Sequence, residues 1–124
     1  MHTLNYLNKV TLSLAAASIL TSGQAVLAIE GSATVYDDSF QGKKTASGEK
    51  YDKNALTASS NKFSLGSRVE VTNKKTGKSV IVKINDIEGK HNKNILDLSG
   101  AAAAKIGFGT TGVVDAKLVE TAKK

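Results

Sequence analysis

Beyond the first 28 residues the chain alternates apolar with polar positions, and a period of two marks strands that bury one face. The segment SATVY, 32–36, predicts a short strand. SRVEVTN, 67–73, and SVIVKIND, 79–86, are stronger candidates, rich in β-branched residues, and the KKTGK between them places Gly77 where a hairpin needs a positive φ. Together they predict one hairpin. VVDAKLVE, 113–120, predicts a closing strand, after which TAKK is a frayed end. Only DLSGAAAAKIGFG reads as helix, with Ser99 as N-cap, a run of alanines and Gly107 as the stop. It is one to two turns long and cannot be the scaffold. Short strands separated by turn signals, with one minor helix, predict a mainly β domain, a small barrel or sandwich.

The first 28 residues break this pattern. Residues 1–9 carry a weak positive charge, and the apolar run 10–20 is shorter than the roughly 20 residues a spanning helix needs. The following TSGQAVLA supplies small residues for a cut after Ala28 or Ala25. The expectation is a cleaved secretory signal over 1–28 and one domain over 29–124, starting at Ile29, with no membrane span and a periplasmic or secreted location. The chain has no cysteine, so it has no disulfide and no lipid anchor through an N-terminal cysteine. Its 17 basic and 11 acidic side chains leave a net +6. Removing the segment with Lys9 leaves +5, suited to anionic wall polymers. Nucleic acid is not expected as a partner, because the lysines are scattered rather than gathered into a stripe.

Two histidines and no cysteine leave no metal cluster and no thiol nucleophile, and GFGTTG, 107–112, precedes a strand and lacks the lysine of a phosphate loop. No cofactor or metal is expected. Carboxylates remain, and glycosidic cleavage is chemistry that carboxylates run unaided. Three stand out: Glu49 after a glycine in a polar loop, Asp86 at the end of the most apolar strand, and Asp97 opening the DLS turn. Each has a plainer reading. Asp86 can simply end its strand, Asp97 can stabilise the helix start beside Ser99, and Glu49 can be a solvated loop charge.

The series GSATVY, F-QGKKTASGEKYD, LTASS, LGSRVEVTN, GKSVIVKIND and ILDLSGAAAAKIGF resembles, in order and spacing, the rare lipoprotein A (RlpA-like) family. The resemblance implies a six-stranded double-psi β-barrel with one or two short helices and a groove across one face. It implies a peptidoglycan lytic transglycosylase, cutting the MurNAc–GlcNAc bond of glycan strands with 1,6-anhydro products; a monomer is expected. The alternative is a non-catalytic, expansin-like wall-binding module. The family's acids fall on Glu49 and Asp86 as the catalytic pair, with Tyr36, Thr45, Ser60, Asn85, His91 and Asp97 as substrate contacts. On this reading Asp86 delivers the proton and then takes one from the 6-hydroxyl, while ionised Glu49 offsets positive charge on the sugar.

The chain departs from the family pattern at several places. The family's site histidine is Ser60 here, which cannot carry a proton near neutral pH. An arginine is lost where Asp86 is followed by Ile87, Glu88 and Gly89, and a sugar-stacking tryptophan is replaced by Val35. His91, in the loop EGKHNKN, either stands in for the missing histidine or is a surface histidine with no role.

Overall fold

The computed structural model describes residues 28–89, 94–108 and 112–121. Six strands, β1 (Ala28–Val35), β2 (Thr57–Ser60), β3 (Arg68–Asn73), β4 (Ser79–Ile87), β5 (Leu96–Leu98) and β6 (Val113–Glu120), close into a barrel in the order β1-β5-β2-β4-β3-β6. The parallel pairs β1–β5 and β2–β4 are joined by the antiparallel pair β2–β5. A single-turn 3-10 segment, Asp38–Phe40, and one short helix, α1 (Gly100–Lys105), complete the described elements. Among the described residues no helix is long and apolar enough to cross a membrane.

The period-two signal becomes the barrel lining. Val69 and Val71 of β3, Val80, Val82 and Ile84 of β4, Leu96 and Leu98 of β5, and Ala116 and Leu118 of β6 all point into one buried cluster. Among the described residues closure leaves no unpaired strand edge. The expected hairpin is β3–β4, closed by Gly77 at φ 76°, whose N–H reaches the Asn73 carbonyl at 2.8 Å. Ser99 caps α1 by accepting from the Ala102 N–H, and Gly107 follows the helix at φ 70°. Ala102, Ala103 and Ile106 then pack onto the barrel core.

Two strands and half of a third were not expected. β1 starts four residues before SATVY, because residues 28–31 pair with Val119 to Ala116 of β6. Gly31 is there for space: a Cβ on it would lie 2.7 Å from Ile95 Cδ1. β2 is the polar TASS, in which only Thr57 favours a strand, and it is ordered by neighbours on both sides. β5, Leu96–Leu98, absorbs the segment read as a turn into the helix.

Candidate active site

Pairing across the barrel puts four polar residues in one row. Thr34 of β1 is opposite Asp97 of β5, Asp97 is opposite Ser59 of β2, and Ser59 is opposite Asp86 of β4. Their chain neighbours Ala33, Leu96, Leu98 and Ala58 belong to the core, so the row lies on the outer side of the wall. Asp86 reaches it only because β4 carries an extra residue. Ala58 pairs with Ile84 but Ser59 pairs with Asp86, which leaves Asn85 as a bulge. Regular pairing would have put Asp86 opposite Ser60, on the other side, since a one-residue slip exchanges the two faces of a strand.

The Asp86 carboxylate is held by three donors. The Tyr36 hydroxyl donates to Oδ2 at 2.5 Å, and the Ala46 and Ile87 N–H groups donate to Oδ1, each at 2.9 Å. Tyr36 follows β1, with its N–H on the Leu98 carbonyl and its ring stacked on Tyr51. Burial, and then the hydrogen bond to Asp86, push its phenol well above the usual tyrosine value, so it remains a donor. Phe40 packs edge-on against the same ring and is largely exposed, with the Lys43 ammonium 5.1 Å from its centroid.

Glu49 arrives on the loop that supplies Ala46. The Ser47 N–H bonds the Asn85 carbonyl at 3.1 Å, seating the Thr45–Glu49 turn on the end of β4. Lys83 Nζ lies 2.9 Å from the Glu49 carboxylate, and this partner, ahead of Ser47 and Asn85, holds the carboxyl below the usual glutamate value. Asp86 belongs to the end of β4, and the turn that carries Glu49 is tied to that end by Ser47 on the Asn85 carbonyl and Ala46 on the Asp86 carboxylate.

Asp97 differs from its expected place. It sits within β5, three residues before α1, and Ser99 caps the helix. Asp97 Oδ1 accepts from Thr34 Oγ1 at 2.9 Å. Burial pushes its carboxyl up, the Thr34 bond opposes this, and the Asp86 charge adds to the rise. Ser60 is enclosed at 1% exposure, its hydroxyl donating to the Ile95 carbonyl and accepting from the Lys62 N–H. It has no surface to offer a ligand. Thr45 is likewise buried, with its hydroxyl on the Glu49 carbonyl at 2.7 Å, so it shapes the turn that carries Glu49. Asn85 is buried as the bulge residue. His91 lies outside the described residues.

Four residues that sequence reasoning passed over share this site: Thr34, Ser59, Lys83 and Glu88. Glu88 is buried at 7% exposure, and its Oε2 is enclosed without a hydrogen-bond partner. Burial first, then the charges of Asp97 and Asp86, lift its carboxyl to about 7. The sequence signal was an acid directly after the strongest strand, visible only once burial is known. A cavity lined by Asn73, Thr76, Gly107, Val114 and Asp115 contains none of the acids on the row. Among the described residues no three His, Cys, Asp or Glu side chains are grouped to hold a metal ion.

A closed six-stranded barrel with parallel and antiparallel pairs interleaved is the architecture of the double-psi β-barrel class. The sequence profile of the lytic transglycolase family matches residues 28–118. The chain is 47% identical over 88 residues to the endolytic peptidoglycan transglycosylase RlpA of Neisseria meningitidis serogroup A, covering 71% of this chain and 37% of that protein. It is 43% identical over 88 residues to the RlpA of Pseudomonas aeruginosa strain UCBPP-PA14, covering 71% of this chain and 26% of that one. The chain thus belongs to the RlpA-like lytic transglycolase family and spans well under half the length of these relatives. In fold it is similar to the expansin of Clavibacter michiganensis, with a TM-score of 0.62 and 21% identity over 79% of this chain and 52% of that one.

Proposed function

We propose that this protein is a lytic transglycosylase that cleaves the MurNAc–GlcNAc bond of peptidoglycan glycan strands and leaves 1,6-anhydro ends. One observation carries this reading: Asp86 is turned by the Asn85 bulge onto the outer wall, fixed there by Tyr36, Ala46 and Ile87, and aligned with Ser59 and Asp97. A row of this kind matches an extended sugar chain better than a compact ligand. The names of the 40–47% identical relatives, peptidoglycan transglycosylases, support the same substrate.

The reaction requires a proton delivered to the leaving oxygen, a negative charge near the anomeric carbon and a group that takes the proton of the 6-hydroxyl. Asp86 supplies the fixed carboxylate at the centre of the row. Glu49, kept ionised by Lys83, supplies a second negative charge on the flanking turn. The Asp86 oxygens accept from three donors, which fix the carboxyl group in place.

The test is to incubate the purified protein with denuded glycan strands and weigh the products. Anhydro-ended fragments, lost in Asp86→Asn, are expected. Fragments heavier by one water mean a hydrolase, and intact strands that sediment with the protein mean an expansin-like binder. We further propose a periplasmic or secreted location, with residues 1–28 acting as a signal. N-terminal sequencing of the exported protein checks this and chooses between a start at Ile29 and one at Val26. The later start removes Ala28, which pairs with Val119 at the head of β1.

A further inference from the structure

Asp86 and Glu88 lie two residues apart and have opposite surroundings. Asp86 accepts three hydrogen bonds, whereas Glu88 Oε2 is enclosed and has no partner. The Glu88 N–H donates to the Ser60 carbonyl at 3.2 Å, so the β2–β4 ladder continues through it. Its side chain is therefore on the Asp86 side of the strand, one step further along.

The groups that face Glu88 are also unusual. Asp86 comes from its own strand and Asp97 from β5, both as negative charges that act on it. β2 presents Ser59 on this side, and Asn61 follows the strand; neither is charged. The phenol of Tyr36, bound to Asp86, is neutral. An ionised Glu88 would put charge on a buried carboxyl whose Oε2 has no hydrogen-bond partner and which already faces two negative charges, and a protonated one avoids both. Two neighbouring carboxyls with surroundings this different are the arrangement by which one site separates an acid from a carboxylate.

We propose that Glu88 is the proton donor of the reaction and that Asp86 acts beside it as the carboxylate. The assignment rests on the transglycosylase reading above. The Glu88 carboxyl gives its proton to the glycosidic oxygen as the bond from that oxygen to the anomeric carbon breaks. The 6-hydroxyl oxygen of the same sugar then bonds to the anomeric carbon, and its proton passes to the Glu88 carboxylate. The donor is restored and no water is consumed. Asp86 offsets the positive charge that develops between the two events.

The experiment combines a carboxyl-carbon NMR titration of the purified protein with glycan-cleavage rates against pH for the parent, Glu88→Gln and Glu88→Asp. Glu88 is expected to titrate near neutrality, and the parent rate should fall as that proton is lost. Glu88→Gln should lower kcat about 100-fold with KM changed little, the scale of losing a general acid. Glu88→Asp should retain more activity than Glu88→Gln. A Glu88 that titrates in the usual carboxylate range overturns the assignment without need of any variant, as does a Glu88→Gln protein keeping more than about a tenth of the parent kcat. A parent that releases no fragments at any pH, while Glu88 still titrates near neutrality, overturns the transglycosylase reading, and the donor role falls with it.

Discussion

The Tyr36 hydroxyl donates to Asp86 Oδ2 while its ring stacks on Tyr51 with centroids 4.4 Å apart at 25°. One side chain thus ties the end of β1 to the end of β4, across the two strands between them in the barrel. Removing only the hydroxyl separates packing from chemistry. Tyr36→Phe should keep the stack and lose about 1 kcal/mol of stability, the net value of a typical hydrogen bond. Glycan cleavage should fall by at least tenfold, because Asp86 loses one of three anchors. Thermal melting and product release, measured on the same preparation, check both.

Lys83 sets the charge of Glu49, so Lys83→Met should raise the Glu49 carboxyl toward its ordinary value. A carboxyl held low in the folded protein adds stability above its unfolded pKa, and that stability is lost as pH falls through the folded one. The variant should therefore differ from the parent most at neutral pH, and the difference should close in acid. Both groups are well exposed, so added salt should shrink the difference as well. Melting curves at several pH and salt values test this.

Glu88 has the opposite sign. Its folded value of about 7 lies above the ordinary 4.5, so its contribution is fully present below pH 4.5 and is lost as pH rises to about 7. Across that window the protein should lose up to about 3 kcal/mol on this account. Glu88→Gln removes the titration and keeps the shape. Its stability should be nearly flat over the same window and should exceed that of the parent at pH 8, as urea titrations would show.

Gly31 lies under Ile95, and an added Cβ would meet Cδ1 at 2.7 Å and Cγ1 at 3.0 Å. Gly31→Ala should cost about 1 kcal/mol, since the end of the isoleucine can shift but the rest of it is tight. Ile95→Val deletes the nearest atom. The double variant should therefore be more stable than the sum of the two single changes predicts, and a double-mutant cycle measures the excess.

The strongly alternating strands were legible because their signal is local. β3, β4 and β6 have bounds within a residue of those expected, and Ser99 and Gly107 flank α1 as their chemistry requires. Glu49 and Asp86 stood out as carboxylates in a chain with little other reactive chemistry. β2 and β5 were not legible. TASS and LDL are too short for a period to show, and they are strands because partners on both sides satisfy their backbone groups.

By itself the sequence determined the face pattern of the long strands, the hairpin at Gly77 and the helix cap, all of which depend on residues a few positions apart. Only the tertiary structure decided that Asp97 belongs to a strand, that Ser60 is turned inward and that Glu88 is buried beside two other acids. For Asp86 the deciding feature is the one-residue bulge at Asn85. Which wall of the barrel a carboxylate meets depends on register against a strand about 25 residues away, and register is set by the closing of the whole barrel.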